Sequence, residues 1–583
     1  MEVGSTVAAA PARTHELRAG RHAIIEQLLA DGITHMFGNP GTVEQGFLDA
    51  LCDYPEFRYV LALQEAAVVG MADGYVRATK KPVVVQLHSG VGLGNGIGMM
   101  YQAKRGHAPL VVIAGEAGVR YDAMDAQMAA DLVGMARPVT KWATRVLDGN
   151  SLLRVLRRAI KVAGTAPMGP VFVSMPMDVL DAVNQEPVVP TSIPITRVQP
   201  DESAVREAAA KLAHARNPII IMGDGVAAAG AQEELTRVAE ILAARVWGAD
   251  CSEVNFSFKH PLYGGLLGHM FGEHSKAILR DADAVLVCGT YLLPEVFPSL
   301  DPIFAPATPV VQIDLDAYEI AKNFPVDLGL VADPRLTLKA LAAALRGTLA
   351  DAEVEAARER LASAESMQLR DSEEQRRSDR ANWDEVPMRP ARFMAELAAR
   401  LPADAIVFDE ALTASPELMR YLTPSVPGQY FQTRGGSLGV GITGAIGIKL
   451  AQPERVVFGF SGDGGSMYTP QALWTAAHHQ IGAKFVVCNN RSYKLLKVNI
   501  QEYWRERRIP EHDFPSSFDL GDPPIRFDQL AGSMGIRATR VERPEQIGGA
   551  LDAALADDAP FLIDLVLSDA VPGHVAHVRG VGQ

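Results

Sequence analysis

Short apolar segments recur along the whole chain, and each is separated from the next by enough residues for a helix. Alternating strand-length and helix-length segments predict strand–helix–strand units, whose strands lie side by side in parallel sheets. Three sets of such segments are present: ITHMFG, YVLAL, PVVVQLH, PLVVIAG and GPVFVSMP, then NPIIIMGDG, RVWGAD, ADAVLVCG and TPVVQIDLD, then AIVFDE, RVVFGFSGD, AKFVVCNN and APFLIDLVL. The sequence therefore predicts an α/β fold class with three doubly wound parallel-sheet domains.

The segments between these sets predict where one domain ends and the next begins. At about 150 residues per domain, a chain of 583 residues has room for roughly three or four domains. We expect an N-terminal domain at 15–186, a central domain at 200–350 and a C-terminal domain at 390–572. The proline-rich run EPVVPTSIPITRVQP is typical of a linker between the first two, and the highly charged residues 351–389 predict a solvent-exposed helical linker before the third.

The charge and the cysteine content exclude several classes of partner. A formal net charge of −14 at pH 7 argues against binding to nucleic acid or to an anionic membrane, because both call for a basic protein surface. The four cysteines are widely spaced and form no C-x-x-C pair, so the sequence predicts neither a zinc site nor a disulfide framework. No apolar run is long enough to cross a membrane and no signal-peptide pattern is evident, so we expect a cytoplasmic protein whose partners are small molecules.

The triplet Gly-Asp-Gly occurs twice, at Gly462–Gly464 and at Gly223–Gly225, each time directly after an apolar strand. Both copies are therefore expected at the carboxyl end of a strand, where parallel sheets bind ligands. After the first copy a helix-length segment leads to the strand AKFVVCNN, so Asp463 and Asn490 are expected at the carboxyl ends of neighbouring strands. A carboxylate beside an amide oxygen suits Mg2+ or Ca2+, and the N–H groups of a glycine-rich turn can hold a phosphate. The second copy has no asparagine pair at the corresponding positions, and we interpret it as a structural turn.

Gly-Asp-Gly followed at this spacing by Asn-Asn resembles the cofactor signature of thiamine diphosphate enzymes. The resemblance implies thiamine diphosphate and Mg2+ as cofactors. It also implies that the metal ion is bound by Asp463, Asn490 and the backbone carbonyl of Ser492. Neighbouring residues that the resemblance places against the cofactor are Gly464, Gly465 and Tyr493.

The N-terminal stretch RYVLALQEAAVVGMADGYVRATKKPVVVQLHSGVGLGNG resembles the pyrimidine-binding domain of the same family. Its Glu65 falls on the family's activating glutamate, whose carboxyl group lies against the pyrimidine ring of the cofactor. Without the resemblance, Glu65 would be interpreted as an acid that stabilises the start of a helix. The run GLGNGIG lacks the spacing of a dinucleotide-binding loop and predicts close helix packing near the cofactor.

Within the family, the chain resembles benzoylformate decarboxylase and its relatives over nearly its whole length, through FGNPGTVE, LALQEAAVVGMADGY, LHSGVGLGN and ALWTAA. His88 falls on the active-site histidine of that group, which donates or accepts protons during decarboxylation. His260 falls near a second catalytic histidine, although its HP-x-x-G turn also occurs in acetolactate synthase relatives without that role. Further residues that the resemblance places at the cofactor are Asn39, Gly41, Thr413, Gly436 and Leu438.

Several positions near the cofactor bear on the substrate. Leu438 falls where the family has a bulky apolar residue beneath the cofactor, although alone it would be interpreted as a core leucine. Thr42 replaces the serine that contacts the substrate carboxylate in benzoylformate decarboxylase, and it keeps a hydroxyl. Gln432 stands where an aromatic pocket residue is expected, and Arg434 adds a permanent charge. We expect Arg434 to meet an anionic or strongly polar group of the substrate, and the alternative is an ion pair with one of the chain's acids.

The sequence therefore predicts a thiamine diphosphate- and Mg2+-dependent non-oxidative 2-oxoacid decarboxylase that also acts as a carboligase toward aldehydes. One alternative is a carboligase of the acetolactate synthase type, a transferase whose central domain could bind FAD. Another is a catalytically silent binding protein. The resemblance implies a homodimer at minimum and usually a homotetramer, in which Glu65 of one subunit meets a cofactor held by Asp463 of another.

Overall fold

The computed structural model of the protein describes residues 18–249, 251–268 and 270–571. Within these residues it contains three sheets of six strands, and all neighbouring strands in these sheets run parallel. The predicted α/β fold class with three doubly wound parallel-sheet domains is confirmed.

The N-terminal domain is built from strands β1 (Arg18–Ala19), β2 (His35–Gly38), β3 (Arg58–Leu61), β4 (Val83–His88), β5 (Leu110–Glu116), β6 (Trp142–Arg145), β7 (Val171–Pro176) and β8 (Val183–Asn184). Its helices are α1 (Gly20–Ala30), α2 (Gln45–Ala50), α3 (Glu65–Thr79), α4 (Ser89–Arg105), α5 (Leu132–Ala136), α6 (Leu152–Gly164) and α7 (Met177–Asp181). The sheet has the strand order β3-β2-β4-β5-β7-β6, and β1 and β8 form a separate antiparallel pair.

The central domain is built from strands β9 (Pro218–Met222), β10 (Arg245–Gly248), β11 (Tyr263–Leu266), β12 (Ala284–Cys288), β13 (Val310–Asp314) and β14 (Leu328–Val331). Its helices are α8 (Glu202–Ala213), α9 (Gly225–Ala229), α10 (Gln232–Leu242), α11 (Gly272–Leu279) and α12 (Pro334–Thr348). The strand order is β11-β10-β9-β12-β13-β14. A long helix, α13 (Asp351–Ala381), follows this domain.

The C-terminal domain is built from strands β15 (Ile406–Glu410), β16 (Tyr430–Gln432), β17 (Val457–Gly462), β18 (Lys484–Asn489), β19 (Arg537–Val541) and β20 (Phe561–Val566). Its helices are α14 (Pro390–Ala398), α15 (Ser415–Leu422), α16 (Val440–Ala451), α17 (Asp463–Ser466), α18 (Ala472–His478), α19 (Lys494–Arg507), α20 (Phe527–Ser533) and α21 (Ile547–Leu555). The strand order β16-β15-β17-β18-β20-β19 repeats the connectivity of the N-terminal sheet.

In each sheet, the chain places strands first on one side of the first strand and then on its other side. The reversal lies between β2 and β4 in the N-terminal domain, between β9 and β12 in the central domain, and between β15 and β17 in the C-terminal domain. At such a point the two loops leaving the strand ends turn away from each other, which opens a crevice where ligands bind. Each sheet therefore offers one ligand crevice at a place fixed by its topology.

Helices α3 and α16 join the N-terminal and C-terminal domains. An ideal Cβ at Gly74 would lie 2.3 Å from the backbone oxygen of Gly444, and one at Gly447 would lie 1.9 Å from the backbone oxygen of Met71. Any side chain at these two glycines would overlap the facing backbone, so glycine is required for this close approach. The buried apolar residues of the two domains consequently form one continuous cluster.

Helix α13 runs between the central and the C-terminal domain, and Ala357 and Ala364 are its buried residues. Its Gln368 donates to the backbone oxygen of His260 in the central domain at 3.1 Å. Near its end Asp379 forms an ion pair with Arg420 of the C-terminal domain at 2.6 Å. In the part of the chain that the structure describes, neither this helix nor any other is long and apolar enough to cross a membrane.

A buried group of charges lies where the three domains meet. Arg434 of the C-terminal domain forms ion pairs in the central domain with Asp224 at 3.1 Å and with Glu253 at 2.9 Å. Its guanidinium also donates to the backbone oxygen of Gly106 in the N-terminal domain. Burial raises the pKa of Asp224, yet the charge of Arg434 and nearby hydrogen-bond donors lower it to about 2, so the pair is ionised.

For Arg434, these contacts favour the alternative of an ion pair with the chain's acids over contact with the substrate. Its side chain is 8% exposed, and the carboxylates of Asp224 and Glu253 compensate its charge inside the protein. A buried guanidinium needs such partners, because an unpaired buried charge is strongly destabilising. Asp224 is the middle residue of the second Gly-Asp-Gly triplet, whose carboxylate is thus bound within the domain junction.

A second arginine reinforces the same junction. The guanidinium of Arg77 lies 5.2 Å from the ring centre of Phe408 and 5.1 Å from that of Phe431, within the range of cation–π contacts. It also donates to the backbone oxygens of Gln432 and Ser252, both at 2.8 Å. One side chain of the N-terminal domain thereby binds groups of both other domains.

We expect Arg434→Met to lower the free energy of unfolding by about 3–5 kcal/mol, because the buried Asp224 would lose its ion-pair partner, while Glu253 would keep Lys80. Urea denaturation of the apoprotein measures this change. Arg206→Met is a matched control, since Arg206 pairs with Glu202 on the exposed surface of α8 and contributes little. Equal effects of the two substitutions would contradict the stabilising role of the junction.

Candidate active site

The first Gly-Asp-Gly triplet lies at the carboxyl end of β17, and Asp463 begins the short helix α17. Strand β17 pairs in parallel with β18, with Gly462 opposite Cys488. Asn490 follows the last residue of β18, so the prediction that Asp463 and Asn490 stand at the carboxyl ends of neighbouring strands is confirmed.

The carboxylate of Asp463 is buried and only partly satisfied by hydrogen bonds. Its Oδ1 accepts the N–H of Gly464 at 2.8 Å, whereas Oδ2 is buried without a hydrogen-bond partner in the described structure. Burial raises the pKa of Asp463 to about 6, although the N–H groups of Gly464 and of residues 490–492 oppose this shift. A buried carboxylate oxygen without a partner costs free energy, and a bound cation would offset that cost. The residues present therefore fit a metal ion.

The turn after β18 carries the other two predicted metal ligands. Oδ1 of Asn490 accepts the N–H and the hydroxyl of Ser492, at 3.0 and 3.1 Å, and both residues are buried. Arg491 between them adopts a left-handed φ of 59°. Since the N–H groups of this turn lower the pKa of Asp463, the turn lies beside the Asp463 carboxylate. The structure thus brings a carboxylate, an amide oxygen and a backbone turn together.

The glycines of the first triplet permit close packing of this turn. An ideal Cβ at Gly464 would lie 2.4 Å from Cε1 of Tyr493, and one at Gly465 would lie 3.0 Å from Oε1 of Glu410. A side chain at Gly464 would displace the tyrosine ring. Backbone N–H groups in a turn without side chains are accessible to a phosphate.

Three further predicted cofactor residues follow strands β15 and β16 of the same sheet. Thr413 lies in the short 3-10 helix Leu412–Ala414, directly after β15. Gly436 is exposed with a φ of 76°, and an ideal Cβ there would meet no atom within 4 Å. Leu438 is half-buried and lies outside the buried core of the described residues, so its environment differs from that of an ordinary core leucine.

Glu65 begins helix α3 and is 7% exposed. The side-chain amides of Asn39 and Asn95 donate to its two carboxylate oxygens, each at 3.0 Å. Gly92 approaches the same carboxylate, since an ideal Cβ there would lie 3.1 Å from Oε1. Two neutral amides hold this carboxyl group in place, and neither of them cancels its charge.

His88 ends β4, and its ring lies against Gly41, where an ideal Cβ would be 1.9 Å from Nδ1. Nδ1 lies 2.9 Å from Oε2 of Glu44, whose Oε1 accepts the N–H of Gly115 at 2.8 Å. Burial raises the pKa of Glu44, and the hydrogen bonds from His88 and Gly115 oppose that shift. A carboxylate at Nδ1 orients the ring and favours the tautomer with its proton on Nδ1. Thr42 is exposed in the same loop as Gly41.

His260 lies in the central domain with both ring nitrogens engaged. Its Nε2 is 3.3 Å from Oε1 of Glu240, and its Nδ1 accepts the N–H of Leu262 at 3.2 Å. The ring packs edge-on against Phe256, with 4.8 Å between the ring centres. These local contacts hold the ring of His260 within the central domain, and its catalytic role stays a prediction.

The candidate residues of the N-terminal domain and those of the C-terminal domain form two separate groups within one chain. The N–H of Ser437, next to Leu438, lies 3.4 Å from Oε1 of Gln102 near the end of α4. Asn95, which holds Glu65, stands about 10 Å earlier along the same helix. The loop that carries Leu438 therefore meets the far end of α4 rather than the Glu65 carboxylate.

Exposed apolar side chains accompany both groups. Leu63 and Val91, near Glu65 in the sequence, are 48% and 71% exposed. Met467 and Tyr468, which follow the first triplet, are 43% and 56% exposed. Large apolar side chains clustered beside polar sites are typical of surfaces that another molecule covers.

Sequence reasoning did not identify Glu44, Asn95 or Glu410, all of which contact predicted site residues. Glu44 binds His88, Asn95 binds Glu65, and Glu410 lies beside Gly465. Each is a polar residue inside a glycine-rich or apolar segment near a strand end, as in FGNPGTVE, GLGNGIG and AIVFDE. That pattern could have marked them as buried polar groups. It does not indicate which residue each one contacts.

Comparison with known proteins places these observations in a family. The description "Thiamine pyrophosphate enzyme, N-terminal TPP binding domain" matches residues 18–135, the central domain of that family matches 205–341, and its C-terminal TPP binding domain matches 413–565.

Individual relatives are similar over nearly the whole chain. Benzoylformate decarboxylase of Pseudomonas aeruginosa is 32% identical over 551 residues, covering 93% of this chain and 98% of the relative. The acetolactate synthase isozyme 2 large subunit of Escherichia coli is 28% identical, covering 94% and 96%. The solved structure of a thiamine diphosphate-dependent 4-hydroxybenzoylformate decarboxylase from Rhodococcus jostii RHA1 superposes with a TM-score of 0.81 at 28% identity, covering 94% and 99%. The chain belongs to the thiamine pyrophosphate enzyme family.

Proposed function

We propose that this protein is a thiamine diphosphate- and Mg2+-dependent decarboxylase of 2-oxoacids, which also joins the product fragment to an aldehyde when one is present. The observation that carries this proposal is the His88 ring, which is held against Gly41 by the buried Glu44 at the ligand crevice of the N-terminal sheet. Decarboxylation replaces a carboxyl group with a proton, so the site needs an oriented proton donor.

The C-terminal domain supplies the groups that would hold the cofactor. Asp463, with its unpartnered Oδ2, would bind Mg2+ together with the amide oxygen of Asn490 and the carbonyl of Ser492. The N–H of Gly465 would bind the diphosphate, while that of Gly464 is donated to Oδ1 of Asp463. When bound, thiamine diphosphate supplies a carbon nucleophile and an electron-accepting ring for breaking the bond next to a ketone.

In the N-terminal domain, Glu65 would hold a proton against the pyrimidine ring, because Asn39 and Asn95 fix its carboxylate in one position. Glu44 would hold the Nδ1 proton of His88, which leaves Nε2 to take up a proton and to return it to the product. The exposed hydroxyl of Thr42 would bind the substrate carboxylate.

The arrangement supports an active site shared between two subunits. Within one chain, the loop carrying Leu438 meets the far end of α4 from Glu65. The exposed apolar residues near Glu65 and after the first triplet would be covered if the N-terminal domain of one subunit faced the C-terminal domain of another. A homodimer is the smallest assembly that completes such a site, and a homotetramer is formed by two of them.

A carboligase of the acetolactate synthase type is the second candidate, supported by a cavity of about 560 Å3 between the N-terminal and central domains. Gly225, Gly289 and Asp314 line it, and they lie at the carboxyl ends of β9, β12 and β13. A flavin-dependent carboligase would hold its flavin in the central domain, so the visible absorption spectrum of the purified protein separates the two candidates. A colourless protein that releases CO2 without an acceptor favours the decarboxylase.

We expect the purified protein with thiamine diphosphate and Mg2+ to release CO2 from at least one member of a 2-oxoacid panel, and to form an acyloin when an aldehyde is added. Glu65→Gln should lower that activity by about 100-fold or more while cofactor binding persists, because an amide cannot exchange the proton. The CO2 assay and calorimetric titration of the cofactor measure the two effects. No cofactor-dependent CO2 from any 2-oxoacid would support a catalytically silent protein instead.

Asp463→Ala should weaken binding of thiamine diphosphate in the presence of Mg2+ by about 100-fold or more, because it removes a proposed metal ligand. Titration calorimetry with and without a chelator measures the Mg2+ dependence. Asp224→Asn is the matched control, since Asp224 stands in the second Gly-Asp-Gly triplet and its carboxylate pairs with Arg434. That variant should lose stability and keep the Mg2+ dependence, so an equal loss of cofactor affinity would refute the metal assignment.

Glu44→Gln should lower kcat/KM by at least about tenfold, because a glutamine amide can donate to Nδ1 and so stabilise the wrong tautomer of His88. Cofactor affinity should stay unchanged, and Glu44→Asp should restore part of the activity. Glu116→Gln provides the control, since Glu116 is a buried carboxylate of the same sheet that pairs with Arg145. If both glutamine variants lose activity equally, Glu44 has only a structural role.

A further inference from the structure

Glu410 is a buried carboxylate at the reversal point of the C-terminal sheet. It is the last residue of β15, lies opposite Ser461 of β17 in the parallel register, and is 1% exposed. The strand that it ends leads to Thr413, and the strand beside it leads to the first Gly-Asp-Gly triplet. Glu410 therefore stands between loops that contain proposed cofactor residues.

The carboxylate binds donors at the start of α16 and in strand β17. Oε1 accepts the N–H of Gly439 at 2.7 Å, and Oε2 accepts the N–H of Gly441 at 2.6 Å. Oε2 also accepts the hydroxyl of Ser461 at 3.2 Å. Gly439 directly follows Leu438, and an ideal Cβ at Gly465 would lie 3.0 Å from Oε1. The side chain thus fills the space between the Leu438 loop and the diphosphate turn.

All three hydrogen bonds are donated to Glu410. They lower its pKa, but burial outweighs them and raises the pKa to about 7. A carboxylate can accept every one of these donors. An amide of the same size would place its own NH2 group against at least one of them.

We propose that Glu410 is a positioning residue that fixes the separation between the Leu438 loop and the diphosphate turn. This inference rests on the proposed thiamine diphosphate site. A ligand that spans both elements depends on that separation, whereas a ligand that occupies the diphosphate turn alone does not. Glu410 therefore contributes to binding of the whole cofactor and much less to binding of its diphosphate end.

The test compares two ligands on the full-length protein by titration calorimetry, Mg2+ with thiamine diphosphate and Mg2+ with inorganic diphosphate. Glu410→Gln should weaken binding of thiamine diphosphate by about tenfold or more, since hydrogen bonds to a charged group are lost. It should weaken binding of inorganic diphosphate by less than about threefold. Glu186→Gln is the control, because Glu186 is a buried glutamate that accepts the N–H of Leu153 in the N-terminal domain. Both affinities should be unchanged in that variant.

Unchanged thiamine diphosphate affinity in Glu410→Gln, or equal losses for the two ligands, would overturn the assignment. If Glu410→Gln does not fold, the same two affinities are compared in Ser461→Ala. That substitution removes one donor and leaves the carboxylate and its two backbone partners in place. Failure of the unsubstituted protein to bind thiamine diphosphate would instead overturn the proposed function. The two failures are therefore distinguishable.

Discussion

All three sheets are parallel, and this constraint determines where every candidate residue lies. In a parallel sheet the strands end at one edge, and the crevice opens where the chain reverses the direction in which it adds strands. The N-terminal domain places Asn39 and His88 on the two sides of its reversal point. The C-terminal domain places Glu410 and Asp463 on the two sides of its own. Residues far apart in the sequence thereby meet without long loops of special conformation.

The buried carboxylates differ in the groups that bind them. This difference separates the carboxylate of the domain junction from those of the proposed active site. Asp224 is paired with a cation that lowers its pKa, so its charge is fixed. Glu44, Glu65 and Glu410 are held by hydrogen-bond donors at their carboxylate oxygens. Asp463 has a buried oxygen with no hydrogen-bond partner among the described residues. Hydrogen-bond donors orient a carboxylate, whereas a paired cation also balances its charge.

The interior of each sheet could be predicted from the sequence, but most of its edges could not. In the three six-stranded sheets, every strand that was not predicted lies at an edge, where a strand needs no continuous apolar run because one side is unpaired. These strands are β6, β11, β14, β16 and β19. Asp463 and Asn490 could be placed because their relation depends on one local strand–helix–strand unit. The environment of Arg434 could not, because Arg434 contacts residues 181 and 328 positions away. The backbone oxygen of His260 likewise accepts a hydrogen bond from Gln368, 108 positions away. Periodicity carries no information about such contacts.

Helix α3 links the domain junction to the proposed chemistry. It begins with Glu65 and carries Arg77 near its end, about 18 Å away along the helix axis. Arg77 is fixed by aromatic rings and backbone oxygens of the other two domains, and the glycines of α3 and α16 hold the two helices in backbone contact. A helix bound at one end by the two other domains and packed along its length has little freedom to shift. The position of the Glu65 carboxylate consequently depends on the charged junction of the three domains.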